Sequence, residues 1–159
     1  MCSLPHLSVL HCVAIGVCIA SGIGSIDDIV EAKAALDSSY RKVSPYFVPR
    51  ILINMAAGAV SMRYGLKGPL HACSTACAAG GHAIGDAYNF IRMNYADMVR
   101  ASIDRDLRLM SQMLAGGTEA SINALSVAGF HRMKALSTTQ EAAAASRPFD
   151  TKRNVSAFH

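Results

Sequence analysis

Apolar and polar stretches alternate along the chain in blocks of element length. Residues 13–20, VAIGVCIA, make a continuous apolar run that suits a strand buried on both faces. Gly22 and Gly24 supply the turn after it, and Ser25 can cap a helix over roughly 26–38 with Ile26, Ile29, Val30 and Leu36 on its apolar face. Residues 39–48, SYRKVSPYFV, read as a loop. Pro49 suits the first turn of a second helix that runs to about Tyr64, where Gly65 is its stop signal. After the Gly68-Pro69 turn, His71 to Thr75 is compatible with a short strand. From Cys77 to about Ile91 the pattern is helical, with Ile84, Tyr88 and Ile91 on one face. Residues 113–115 read as a short buried strand ending at Gly116-Gly117, and residues 121–133 as a final helix. Alternating strands and helices predict an α/β class with a largely parallel or mixed sheet. No internal repeat of 20–50 residues is visible.

Composition narrows the classes. The chain has 159 residues, 52% apolar and 16% charged, against roughly 25% charged in ordinary soluble domains. Disorder, collagen-like and low-complexity classes are excluded. No run of ~18 apolar residues is free of Gly, Ser and His, so no membrane span is expected. The apolar surplus is larger than a lone domain of this length calls for, as in a piece of a larger assembly. A net charge of +4 and a pI near 8.9 raise nucleic acid as a partner. However, Arg41, Lys42, Arg50, Arg63, Lys67 and Arg92 are scattered without aromatic interleaving, which argues against it. Five cysteines at irregular spacing, Cys2, Cys12, Cys18, Cys73 and Cys77, point to a reducing compartment rather than a disulfide framework. Residues 7–20 have the apolarity of a signal-peptide core, but MCSLPH before them lacks Lys and Arg and His11 interrupts them, so the strand reading is preferred.

The candidate chemistry centres on Ser74-Thr75-Ala76-Cys77-Ala78-Ala79-Gly80-Gly81, which puts a cysteine at a strand-to-helix junction among small residues. A helix N-terminus offers unpaired N–H groups and the positive end of the dipole, conditions that favour a thiolate nucleophile. The same position also suits a buried structural cysteine. His71, Cys73, Cys77 and His82 have zinc-like composition but poor spacing, since Cys77 and His82 are off the i, i+4 register, and no metal is expected. Gly22-Ile23-Gly24 lacks the third glycine of a dinucleotide fingerprint, with Asp27 in its place, and lacks a P-loop lysine. Gly116-Gly117-Thr118 reads as a strand-end turn where backbones approach closely. No GxSxG elbow is present.

Four segments, GVCIASGIGSI (16–26), RKVSPYFVPRILINMAAGAVSMRYGLKGP (41–69), STACAAGGHAIGDA (74–87) and MLAGGTEASINALSVAGF (113–130), with RPFD at 147–150, resemble the β-ketoacyl-acyl-carrier-protein synthases. These are condensing enzymes of the thiolase-like fold. The resemblance implies an incomplete N-terminal half of that fold, a mixed sheet with helices on both faces, over residues 15–153. Residues 1–14 and 154–159 read as out-of-family ends, and 99–112 as an atypical insertion: retained non-coding sequence or a surface helix.

The resemblance also implies a Claisen condensation in fatty acid biosynthesis, between an acyl thioester and malonyl-acyl-carrier-protein. Cys77 would carry the acyl group as a thioester, and its backbone N–H would form half of the oxyanion hole. Phe47 would lie near the acyl pocket and dimer interface. No cofactor is implied, because substrates ride on the phosphopantetheine of an acyl carrier protein, the expected partner. A homodimer is expected for the full-length family. Mitochondrial location follows from the resemblance, with the cytoplasm as the alternative. Two histidines and a lysine expected from a second half are missing. His6, His11, His71, His82, His131 and His159 match none of their motifs, and His71 and His82 read as packing residues. The alternative is therefore a catalytically inactive fragment. A thiolase-like acyltransferase using acyl-CoA is disfavoured by the STAC context.

Overall fold

The computed structural model describes residues 15–93 and 112–153. The two end segments, 1–14 and 154–159, lie outside the described residues. So does the charged segment 99–112 except Gln112, which opens a strand. Two compact units divide at Ala120 and Ser121.

The first unit is built on strand β1 (Ile15–Ala20), the middle of a three-stranded sheet in the order β2-β1-β3. Strand β2 is Leu70–His71 and strand β3 is Gln112–Gly117. Both pair with β1 in parallel, Val17 opposite Leu70 on one side and Leu114 on the other. Parallel pairing needs crossover connections that lay helices on both faces of the sheet, and burial on both faces explains the unbroken apolar run of β1.

The strand's two-residue period sorts its side chains between two clusters. Ile15 and Val17, with Ile19 against them, meet Ala57 and Leu66, and Cys18 and Ala20 meet Ala79, Ala83 and Ala87. Helix α3 (Met55–Tyr64) carries Ala57, and helix α4 (Ala79–Arg92) carries the alanine row. The sheet thus has helices on both faces, as the sequence resemblance implies. Val17 and Cys18, 1% and 0% exposed, are the largest fully buried side chains among the described residues.

Helix α1 (Ile26–Ser38) begins as the sequence predicts, the Ser25 hydroxyl accepting from Asp28 N–H at 3.3 Å. Its expected apolar face is not covered: Ile29, Val30 and Leu36 are exposed and no residue of the helix is buried. The single helix expected from Pro49 to Tyr64 is two. Helix α2 (Phe47–Ile51) stops where Leu52 turns extended, and α3 starts after Asn54. Gly65, at φ 68°, ends α3 in the left-handed region that glycine enters without steric cost, as expected. The strand expected over 71–75 is confined to Leu70–His71, paired with Val17 and Cys18.

Helix α4 buries the opposite face from the one its large side chains suggest. Ala79, Ala83 and Ala87, spaced by four, face the sheet, while Ile84 and Tyr88 are 60% and 63% exposed. Small residues let the helix axis approach the strand closely, which sets the position of its N-terminus.

In the second unit, helix α5 (Ala124–Arg132) starts later than the expected 121, because Asn123 takes the cap and its side chain accepts from Ser126 N–H at 2.8 Å. A short helix α6 (Ala142–Ala145) follows, and the Arg147 guanidinium donates to Ala144 O at 2.7 Å.

Candidate active site

The carboxyl ends of β1 and β3 and the amino end of α4 converge, the place where open parallel sheets commonly carry their chemistry. Between β2 and α4 the chain makes one 3-10 turn, Ala76–Ala78, and Cys77 is its middle residue. Its thiol is free and exposed. Cys18 is buried and Cys73 half-buried. Burial, together with the nearby Cys73 and Asp86, pushes the Cys18 thiol up to about 11, and burial with Asp86 also raises that of Cys73. Both shifts make a poorer nucleophile, since the thiolate is the attacking form. Cys73 also donates its thiol hydrogen to Ala79 O at 3.4 Å, inside the packing.

The turn is conformationally forced. Ala76 has φ 50°, in the left-handed region that costs a non-glycine residue roughly 1–2 kcal/mol. The turn's bonds run from Ala78 N–H to Thr75 O at 3.2 Å and from Ala79 N–H to Ala76 O. This leaves the Cys77 N–H without a carbonyl acceptor among the described residues. A free N–H beside an exposed thiol can meet the oxygen of a carbonyl that the sulfur attacks.

The surroundings hold this geometry by close backbone approach. Gly80 and Gly117 touch: a Cβ on Gly117 would lie 3.0 Å from Gly80 Cα. The strand-end reading of Gly117 is thereby accounted for, whereas Gly116 has open space where a Cβ would go. The Gly22 turn lies against the Cys77 turn, with Ser74 Oγ donating to Gly22 O at 3.3 Å. A Cβ on Gly22 would fall 3.3 Å from Ala76 O and 2.9 Å from Glu119 Oε2. That carboxylate accepts from the N–H groups of Gly22 and Ile23, at 3.1 and 3.0 Å. The Gly22-Ile23-Gly24 segment therefore holds a carboxylate of the chain itself.

Neither histidine flanking Cys77 is fully buried. His82 is exposed and its Nδ1 lies 2.7 Å from Thr75 Oγ1. His71 is half-buried, pairs with Asp86 at 3.4 Å and meets the Phe90 ring edge-on at 5.4 Å. His71, Cys73 and His82 each have a separate partner, and no metal-holding group of three occurs among the described residues.

Phe47 stands half-buried at the start of α2. Beside α2 a depression of about 150 Å3 is lined by residues that include Ser21, Ile23, Arg50, Leu52 and Glu119, but not Phe47. The sequence reading missed Glu119. The signal available was an acidic residue two positions after a Gly-Gly strand end, across from a glycine turn whose N–H groups need acceptors. No described helix is long and apolar enough to cross a membrane.

The model of the beta-ketoacyl synthase N-terminal domain matches residues 6–102 and 105–157. The chain is 51% identical over 142 residues to a mitochondrial 3-oxoacyl-(acyl-carrier-protein) synthase of Arabidopsis thaliana, covering 87% of this chain and 28% of the relative. It is 46% identical over 144 residues to a putative mitochondrial synthase of the same name from Schizosaccharomyces pombe, covering 89% and 30%. A solved beta-ketoacyl synthase from Burkholderia phymatum STM815 superposes with a TM-score of 0.65 at 32% identity, over 89% of this chain and 31% of that one. The chain spans about 30% of the length of the relatives it matches.

Proposed function

This chain belongs to the β-ketoacyl synthase family through that family's N-terminal domain, and we propose on that premise that it carries the acyl-accepting half of a fatty acid condensing enzyme. The single observation behind this reading is the Cys77 turn: an exposed thiol next to an N–H that has no carbonyl acceptor among the described residues, at the amino end of α4. Cys77 is the nucleophile. Its sulfur attacks the carbonyl of an acyl thioester, the carbonyl oxygen takes up negative charge against the Cys77 N–H, and the phosphopantetheine thiol leaves with a proton. The acyl group then rests on Cys77 as a thioester.

Condensation needs a second set of groups, to drive loss of CO2 from malonyl-acyl-carrier-protein and to hold the resulting carbanion. The two histidines and the lysine that the resemblance assigns to that step are not among these 159 residues. The reaction consumes no redox cofactor, because decarboxylation itself supplies the carbanion. An acyl carrier protein is the partner, and a homodimer is the assembled form of the whole enzyme. The exposed Ile84 and Tyr88 of α4 and the uncovered face of α1 are surface for such packing. Phe47 borders the acyl chain's path. The mitochondrion is the compartment, by analogy with the plant and fission yeast relatives, which are named mitochondrial.

The test uses purified full chain with radiolabelled acyl-acyl-carrier-protein and malonyl-acyl-carrier-protein. Label on the protein without an elongated β-ketoacyl product is expected. Elongation would contradict the division of labour, and absence of label would contradict the nucleophile.

A further inference from the structure

From the contacts around the Cys77 turn we infer that Glu119 is a positioning residue that aims the Cys77 N–H, acting through Gly22. The inference rests on the acyl-transfer reading above. It runs through four groups. The Glu119 carboxylate, just past the end of β3, accepts from two successive N–H groups, of Gly22 and Ile23, at 3.1 and 3.0 Å. Its other oxygen accepts from Ala120 N–H at 3.2 Å, with the Ser21 hydroxyl 3.4 Å away. One side chain thereby pins the β1-to-α1 turn to the end of β3.

The pinned turn lies against the nucleophile's own backbone, with no room between them for a side chain on Gly22. The space where a Gly22 Cβ would sit is bounded by Glu119 Oε2 at 2.9 Å and by Ala76 O and C at 3.3 and 3.4 Å. Ser74, two residues before Ala76, donates to Gly22 O at 3.3 Å. Ala76 O belongs to the peptide group that carries the Cys77 N–H. That group is planar and trans, so its N–H points opposite to its C=O. Ala76 O accepts from Ala79 N–H on one side and has the Gly22 turn close on the other, so the placement of that turn limits how the peptide group can rotate and where the Cys77 N–H points.

Ala76, at φ 50°, has an intrinsic preference to leave this conformation, and strained residues persist only where neighbours over-determine them. Glu119, through Gly22, is such a neighbour. It touches neither the thiol nor an acyl group, so its effect is on the oxyanion donor and not on the sulfur.

The distinction gives the test. Iodoacetamide alkylates a thiolate by displacement at a saturated carbon and needs no oxyanion donor, whereas acyl transfer needs one. Full chain, wild type and Glu119→Gln, is treated in parallel with iodoacetamide and with the N-acetylcysteamine thioester of octanoic acid, and modification of Cys77 is mapped by peptide mass. Glutamine offers one carboxamide oxygen in place of two carboxylate oxygens and presents an NH2 group to the remaining donors. Acylation is expected to fall by about tenfold or more, below the ~10²–10³ for outright loss of an oxyanion donor, with alkylation unchanged. Equal loss in both reactions, or in neither, overturns the inference.

The amide resonances of Gly22, Ile23 and Cys77 give a second readout that needs no acyl transfer. Glu119→Gln should move all three, and a Cys77 resonance that stays in place overturns the relay even if the wild type never acylates. If wild type is alkylated but not acylated, the acyl-transfer reading fails and the Cys77 resonance alone decides the relay. Gly22→Ala puts a methyl group between Glu119 Oε2 and Ala76 O and should reproduce the acylation loss and the Cys77 shift. It decides the matter if Glu119→Gln does not fold.

Discussion

Neighbouring glycines at the end of β3 should respond in opposite ways to the same substitution. A methyl group on Gly117 would sit 3.0 Å from Gly80 Cα, while nothing stands within 4 Å of the same position on Gly116. Carbon atoms prefer separations of about 3.5–4.0 Å, so Gly117→Ala forces the amino end of α4 away from the strand by roughly half an ångström. Overpacking of this kind costs about 1–3 kcal/mol. Gly116→Ala meets no atom and restricts the unfolded chain, which stabilises by roughly 0.4–1 kcal/mol. The two variants should therefore differ by about 1.5–4 kcal/mol.

Urea unfolding followed by circular dichroism reads the difference. With a slope of about 1–3 kcal/mol per molar urea, the two midpoints separate by on the order of 1 M. The displacement also moves Cys77, which precedes α4 directly. An ångström of misplacement can cost ~10²-fold in rate, so half that shift predicts a loss of roughly tenfold in Cys77 acylation for Gly117→Ala and none for Gly116→Ala. Coincident midpoints, or a more stable Gly117→Ala, would show that the contact between Gly80 and Gly117 does not set the helix position.

Three further outcomes follow from local geometry. Ser25→Ala removes the acceptor of the Asp28 N–H and should destabilise the chain by about 1 kcal/mol, read as a lower urea midpoint. Cys18 should stay unlabelled by iodoacetamide at pH 8 under conditions that label exposed Cys77, because burial, with Cys73 and Asp86 nearby, pushes its thiol up to about 11. Its folded state holds the proton more tightly than the unfolded one, so its contribution to stability is complete below 9.0 and declines as pH rises from there to about 11. Urea midpoints at pH 8 and 10.5 should differ more for wild type than for Cys18→Ala.

The parts of the fold legible in the sequence were those decided locally. The run at 15–20, the Ser25 cap and the Gly65 stop each carry their reason within a few residues. The face of α4 was not legible, because the rule that large apolar residues face inward reverses where a helix must lie close to a strand. Ala79, Ala83 and Ala87 take the inside there, and Ile84 and Tyr88 the outside. The break at 52–54 was likewise hidden, since the end of α2 at Ile51 lies against Gly24, a residue remote in sequence, so closely that a Cβ there would meet Ile51 O. At the site, the sequence marked Cys77 by its small neighbours. Glu119 escaped notice because its partners are 96 and 97 residues away, and no local spacing brings them together.

Peptide mapping by mass spectrometry, after the full chain is incubated with an acyl-acyl-carrier-protein, tests the role of Cys77 most directly. An acyl mass on the peptide containing Cys77, absent from the Cys18 peptide and lost in Cys77→Ala, is the expected result. An unmodified Cys77, or an adduct that survives Cys77→Ala, would contradict it.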